Sequence, residues 1–215
     1  MIDLADYKKV FSEFAADVDF INEIIISLNL EKDSKILDIG TGMGAMSILL
    51  ALNGFQVLTG EPEMDHERDD GDHHEHHHED NNEYHYGNHE DCNWELWNDW
   101  RKSAKNLGVE ENIKYQNFDV QNLSFGSRSF DGIFLYDTLQ HIKNREMALN
   151  ECARVLKNDG IVVVIEWTKK QIEEDFKKYG YEIEYIDPRD FLNREDILIE
   201  ELNSEVVNVY LLRKR

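Results

Sequence analysis

Hydrophobic positions along the chain alternate between helical and strand spacing, which is typical of an α/β protein. Apolar residues recur at steps of three and four over residues 6–28, and this spacing predicts one amphipathic helix there. The unbroken, wholly β-branched run at 161–165 is typical of a central parallel strand that is buried on both faces. Further strands are expected at 36–39, 55–59, 113–117, 132–136 and 206–212, and further helices at 46–52, 97–107, 149–156 and 168–180.

Turn and cap residues mark several of these boundaries. Gly108 is expected to end one helix as its C′ residue, and Thr168 to Gln171 fits a capping box at the start of another. The turn residues at 158–160 are expected to separate a helix from the 161–165 strand. Apolar residues alternate over 181–185, whereas the pattern at 188–203 leaves helix and loop both open.

The strongest local signal is the run Ile36-Leu37-Asp38-Ile39-Gly40-Thr41-Gly42-Met43-Gly44, a strand that ends in clustered glycines and opens a helix. Without side chains, such glycines let backbone N–H groups approach a ligand closely. Gly40, Gly42 and Ala45 also satisfy a variant of the dinucleotide-binding fingerprint, with Glu61 about 20 residues further on. The turn by itself therefore leaves a nicotinamide-dinucleotide site open.

Asp38 lies two residues before the first glycine, and with it the run resembles motif I of the class I S-adenosylmethionine-dependent methyltransferases. Later segments resemble further motifs of that family in the same order, and the resemblance covers roughly residues 34 to 167. These segments are Phe118-Asp119-Val120, Phe130-Asp131-Gly132-Ile133-Phe134-Leu135-Tyr136-Asp137-Thr138-Leu139-Gln140-His141-Ile142 and Glu151-Cys152-Ala153-Arg154-Val155-Leu156-Lys157-Asn158-Asp159-Gly160. The resemblance implies a doubly wound, mostly parallel seven-stranded sheet with helices on both faces and an antiparallel last strand at 206–212.

The resemblance also implies a role for each residue of the glycine turn. Asp38 is expected to accept a hydrogen bond from the amino group of S-adenosylmethionine. The turn itself is expected to lie against the methionine end of that cofactor. Its cofactor-binding residues are Gly40, Thr41, Gly42, Met43 and Gly44.

Five residues at the ends of later strands complete the site that the resemblance implies. Glu61 is expected to accept hydrogen bonds from both ribose hydroxyls, because an ionised carboxylate only accepts. Asp119 is expected to meet the adenine amino group with Val120 beside the ring, and Tyr136 and Asp137 to lie under the sulfonium.

Methyl transfer from a sulfonium is an in-line displacement with a neutral leaving group, so alignment and desolvation can supply most of the rate. A general base is needed only where the acceptor must first lose a proton. His141 follows the strand at 132–136 and is the first candidate for that role, with Asp137 second. Cys152 lies on the apolar face of its helix and is expected to be core.

One segment departs from the rest in composition. Between Glu61 and Asp91 there are thirteen acids, one base and eight of the nine histidines. We therefore expect one methyltransferase domain over residues 1–215, interrupted by an insertion at about 62–93.

Imidazoles mixed with carboxylates favour borderline transition metals over Mg²⁺ or Ca²⁺. The insertion is therefore predicted to bind a divalent ion such as Ni²⁺, Co²⁺ or Zn²⁺. A solvated loop without a metal-dependent role is the alternative. The candidate ligands are His66, His73, His74, His76, His77, His78, His85 and His89.

The charge of the chain excludes several partners. It carries 45 acids against 23 Lys and Arg, a formal net charge of -22, so nucleic acids and anionic membrane surfaces are poor partners. No apolar run approaches the roughly 18 residues of a membrane span, and the N-terminus lacks the basic residues of a signal peptide. Two cysteines, Cys92 and Cys152, make no disulfide framework. A soluble, cytoplasmic protein is expected.

Together these patterns predict an S-adenosylmethionine-dependent methyltransferase that acts on a small-molecule or metal-linked acceptor and carries a metal-binding loop. Two other functions stay open at this point. One is a metal-sensing or metal-storage protein that keeps the methyltransferase fold without turnover. The other is a nicotinamide-dependent oxidoreductase.

Overall fold

A computed structural model of the protein describes residues 4–15, 17–63, 99–180 and 182–215. Within them the sheet has seven strands in the order β3-β2-β1-β4-β5-β7-β6. The strands are β1 Lys35–Ile39, β2 Gln56–Gly60, β3 Ile113–Tyr115, β4 Phe130–Tyr136, β5 Leu156–Trp167, β6 Ile197–Asn203 and β7 Val207–Lys214. The helices are α1 Ala5–Phe11, α2 Val18–Ser27, α3 Ala45–Leu52, α4 Trp100–Asn106, α5 Arg145–Val155 and α6 Lys169–Tyr179.

The direction of the strands confirms the doubly wound fold. Strands β1 to β5 run parallel, whereas β7 pairs antiparallel with both β5 and β6. The chain moves outward from β1 to β3 on one side, then returns to place β4 on the other side of β1. This reversal between β1 and β4 opens a crevice at the carboxyl ends of the strands, which is where open α/β sheets bind ligands.

Hydrophobic residues cover both faces of the sheet, because successive side chains of a strand point to opposite faces. Helices α1 to α4 pack on one face and α5 packs on the other. Cys152 of α5 is fully buried there, as expected for a core residue, and burial raises the pKa of its thiol to about 12. The first face carries Ile36, Val57, Phe134, Val163 and Ile165, and the second carries Leu37, Ile39, Ile133, Leu135 and Val164.

Among the described helices, none is long and apolar enough to cross a membrane.

The single helix expected over 6–28 is wrong, because the chain breaks between α1 and α2. Ser12 has a positive φ of 51°, and a short 3-10 turn, Ser12–Ala15, follows it. The break lets the Asp17 carboxylate accept from the Ser204 hydroxyl and, at 3.1 Å, from the Val207 backbone N–H. This contact to the distant β6–β7 hairpin has no signature in the local spacing of apolar residues.

Two later boundaries also differ from the expectation. The segment 188–203, left open between helix and loop, forms a 3-10 turn, Pro188–Phe191, and the edge strand β6. The turn residues at 158–160 lie in an irregular early part of β5 rather than before it. The alternation at 181–185 makes no strand within 182–187. The cap at Gly108, with φ +71°, is confirmed, and Thr168 caps its helix by accepting from the Gln171 N–H at 3.1 Å. Only this half of the expected capping box forms, because the Gln171 side chain donates to Asp175 and the Thr168 N–H donates to the Val206 carbonyl.

Candidate functional site

The crevice between β1 and β4 holds a cavity of about 620 Å³. Its walls come from the carboxyl ends of five parallel strands, because those ends meet at one edge of the sheet. The structure brings together at this cavity most of the residues predicted for the site. They are Gly40, Thr41, Gly42, Met43, Glu61, Asp119, Val120, Tyr136, Asp137 and His141.

Gly40, Gly42 and Gly44, the three glycines after β1, all have positive φ. The structural reason for a glycine is not the same at all three positions. A Cβ on Gly40 would lie 2.8 Å from the Thr138 hydroxyl, and one on Gly44 would lie 2.7 Å from Trp100 Cβ. These two positions therefore need glycine for packing as well as for backbone conformation. A Cβ on Gly42 would meet no described atom within 4 Å, so the space above this residue is open to a ligand.

Asp38 lies beneath the glycine turn and is fully buried, and it does not line the cavity. Its Oδ2 accepts from the Thr59 hydroxyl at 2.8 Å, and that hydroxyl also lies 2.9 Å from the Thr41 hydroxyl. Its Oδ1 has no hydrogen-bond partner among the residues that the structure describes. Burial, together with the nearby charge of Glu61, raises the Asp38 pKa to about 7 although the Thr59 hydroxyl opposes this. The contact of Asp38 with a cofactor amino group stays a prediction.

Glu61 directly follows β2 and is partly exposed at the cavity. Its Oε2 lies 3.4 Å from the Gly42 backbone nitrogen, which donates to it across the crevice. The preceding residue, Gly60, is fixed by packing, because a Cβ there would lie 1.9 Å from the Gln116 carbonyl oxygen. The sequence analysis did not predict Gly60 as a site residue, because its position at the end of a strand was the only indication of its role.

Asp119 and Val120 follow β3 and line the same cavity as Tyr136. The exposed Asp119 carboxylate caps the short turn Val120–Asn122 by accepting from the Gln121 backbone N–H at 2.8 Å. The Gln121 side-chain amide also donates to it, at 3.1 Å. Val120 is buried at the cavity, which suits an apolar residue expected to pack against the adenine ring.

The end of β4 brings an aromatic residue and a carboxylate to the cavity. The rings of Tyr136 and Trp167 lie 6.1 Å apart between centroids, with 55° between their planes. Trp167 ends β5 and was missed by the sequence reasoning, because only the pairing of β4 with β5 brings it beside Tyr136. Asp137 is partly buried, whereas His141 is exposed on the short turn that follows.

Glu166 is a buried carboxylate that the sequence reasoning also missed. Its Oε1 accepts from the Leu139 backbone N–H at 3.0 Å, so it holds the turn that carries Asp137 and His141. Burial raises its pKa to about 8. Its signal in the sequence is one acid at the end of the apolar run 161–165.

The eight histidines predicted to bind a metal lie at 66–89 and fall outside the described residues, as does Cys92. Within residues 4–15, 17–63, 99–180 and 182–215, no cluster of His, Cys, Asp and Glu side chains could hold a metal ion. Metal binding by the insertion stays a prediction from composition.

Residues 8–198 match the family described as "Methyltransferase domain". A ubiquinone/menaquinone biosynthesis C-methyltransferase from Citrobacter koseri is 35% identical over 89 residues, which cover 41% of this chain and 36% of that protein. The corresponding protein from Klebsiella pneumoniae strain 342 is 33% identical over 79 residues, which cover 37% of this chain and 32% of that protein. The matches thus span only about a third of these relatives.

Solved structures share the fold over nearly the whole chain. The PH0226 protein from Pyrococcus horikoshii has a TM-score of 0.61 at 16% identity, covering 96% of this chain and 93% of that one. A SAM-dependent methyltransferase from Aquifex aeolicus has a TM-score of 0.57 at 15% identity and covers 99% of both chains. At these identities the likeness concerns the fold.

Proposed function

The chain belongs to the methyltransferase domain family, and we propose that it transfers the methyl group of S-adenosylmethionine to a small-molecule acceptor. The observation that carries the proposal is the cavity at the β1–β4 reversal, where the glycine turn faces the carboxylate of Glu61. Open space above Gly42 lets a ligand reach the backbone of the turn. A nicotinamide-dependent oxidoreductase is disfavoured by the family match.

The residues present fit this cofactor. Gly42 offers backbone contact that a Cβ would obstruct, and Glu61 stands beside it as a partly exposed acceptor suited to a ribose diol. Asp38 Oδ1, which lacks a partner within the described part of the chain, is a buried acceptor next to the same turn. Asp119 and Val120 would take the adenine end, and Tyr136 would lie near the sulfonium. A cationic sulfonium suits a cavity lined by acids and an aromatic ring.

When bound, S-adenosylmethionine supplies an electrophilic methyl group with a neutral thioether as leaving group. The protein's own contribution is then alignment and exclusion of water. Tyr136 and Trp167 provide aromatic walls at the ends of β4 and β5, and Met46 and Ile142 add apolar surface to the cavity. Asp137 and His141 are the polar groups beside these walls.

We propose a hydroxylated aromatic ring of the quinol type as the acceptor. The relatives from Citrobacter koseri and Klebsiella pneumoniae carry names of quinone C-methyltransferases, which supports this class. The tilted Tyr136 and Trp167 rings offer planar surface for an aromatic acceptor. Carboxylate and imidazole groups beside them suit an acceptor that carries hydroxyls.

Calorimetric titration with S-adenosylhomocysteine and with NADH tests the cofactor. We expect micromolar affinity for S-adenosylhomocysteine and no binding of NADH. The reverse preference would contradict the proposal. Turnover is then measured by mass spectrometry as S-adenosylhomocysteine formed with 1,4-naphthalenediol, kept reduced with dithionite, as the acceptor probe.

A further inference from the structure

Asp137 is held in an uncommon backbone conformation at the end of β4. Its φ is 51°, and non-glycine residues with positive φ are uncommon, with Asp and Asn enriched among them. Its backbone N–H donates to the Ile165 carbonyl of β5 at 2.9 Å, which extends the pairing of the two strands past Tyr136. Tertiary contacts thus set the direction of the Asp137 side chain at the cavity wall.

Two side chains act on the Asp137 carboxylate. The Gln140 amide donates a hydrogen bond to Oδ1 from the turn after β4, and the Trp167 indole, at the end of β5, lowers the pKa of the carboxyl. Trp167 also packs on Tyr136, so one residue contributes both to the aromatic wall and to the placement of the carboxylate. The backbone of the turn is anchored in addition, because Glu166 accepts from Leu139 N–H.

The charged and titratable groups that face Asp137 come from every element around it. They are Tyr136 of β4, His141 of the following turn, Glu166 of β5 and Asp175 of α6. Burial raises the Asp137 pKa to about 6, and Asp175 adds to this, whereas the Trp167 and Gln140 hydrogen bonds and His141 oppose it. A carboxylate in this range is ionised at neutral pH and is still a competent proton acceptor.

We propose, on the basis of the proposed function, that Asp137 is the catalytic residue that accepts the hydroxyl proton of the acceptor, and that Gln140 and Trp167 position its carboxylate. His141 is the weaker candidate because it is exposed, whereas Asp137 is partly buried beside the aromatic walls. The geometry thus reverses the order of the two residues expected from the sequence.

The O–H bond of the acceptor breaks and its proton passes to the Asp137 carboxylate, so that the oxygen's electron pair enters the ring. A ring carbon attacks the methyl group, a C–C bond forms, and the methyl–sulfur bond breaks with its electron pair going to sulfur. The proton on that carbon is then lost to water, which restores the aromatic ring, and Asp137 returns its proton to the oxygen to restore the hydroxyl, so the net release is one proton.

Three variants test the assignment with 1,4-naphthalenediol between pH 5 and pH 9. Asp137→Asn keeps a residue that tolerates positive φ and removes the base, so kcat should fall by about 100-fold or more. Gln140→Met removes the amide that donates to the carboxylate, and Trp167→Phe removes the indole N–H that lowers its pKa. The acidic limb of their kcat/KM profile should move to higher pH by about half a unit or more, since loss of such a donor raises the pKa.

Binding of S-adenosylhomocysteine separates this inference from the proposed function. We expect the affinity of Asp137→Asn to stay within about threefold of the wild-type value, which is a difference of at most ~0.7 kcal/mol. Equal kcat in Asp137→Asn and wild type, unmoved profiles in both donor variants, or a larger loss in His141→Gln would each overturn the inference. A wild-type protein that binds S-adenosylhomocysteine but does not turn over the diol would also overturn it. Absent binding in the wild-type protein would overturn the proposed function itself.

Discussion

Gly42→Ala should weaken cofactor binding without disturbing the packing of the protein around Gly42. A methyl group at this position meets no described protein atom within 4 Å, so it would occupy space that faces the cavity. Gly40 and Gly44 are poorer test positions, because a Cβ at either would press on Thr138 or Trp100 and confuse misfolding with lost binding. Gly42 is therefore the position where the ligand contact can be tested most directly.

The matched control is Gly180→Ala at the C-terminal end of α6. Gly180 also has a positive φ, 78°, and an added Cβ there would also meet no described atom within 4 Å, but Gly180 does not line the cavity. Alanine in the left-handed region costs about 1–2 kcal/mol, so both variants should lose a similar free energy of unfolding in urea. Only Gly42→Ala should lose affinity for S-adenosylhomocysteine, by about tenfold or more, which corresponds to ~1.4 kcal/mol. Equal affinities in the two variants, measured by calorimetry, would refute the contact between this turn and the cofactor.

Three other predictions concern the acids and the insertion. Glu61→Ala should weaken S-adenosylhomocysteine binding by about 1.5–3 kcal/mol, because the ribose hydroxyls lose a charged acceptor. The control Glu63→Ala changes an exposed acid and should leave the affinity unchanged. Equal calorimetric affinities of the two variants would contradict the role of Glu61. Because the folded-state pKa of Asp38 is raised from 3.8 to about 7, its burial costs stability increasingly as pH rises through that window. As the pH rises from 5 to 8, the free energy of unfolding measured in urea should therefore fall less for Asp38→Asn than for the wild-type protein. An equal fall in both proteins would contradict a raised pKa of Asp38. Ni²⁺ or Zn²⁺ at pH 7.5 should protect the backbone amides of residues 64–92 from hydrogen exchange. The affinity for the metal should fall below about pH 6, because protonated histidines do not bind metal. Unchanged exchange on adding metal would contradict a metal-binding role of the insertion.

The sequence by itself determined the fold class and most of the cavity wall. Periodicity places the central strands, and the glycine turn at 36–44 marks the carboxyl end of β1, because these signals depend on neighbours along the chain. Parallel strands then bring Glu61 and Tyr136 to the same edge without further information, since their carboxyl ends coincide.

Tertiary structure decided what depends on partners distant in sequence. The break before α2 follows from the contact of Asp17 with Val207, and β6 is a strand because β7 supplies its hydrogen bonds. The same holds for Trp167, which meets Asp137 only because β5 pairs with β4. Local propensity is a weak preference that such contacts override. Whether a carboxylate is buried and which donors it has likewise depend on neighbours that only the folded chain brings together.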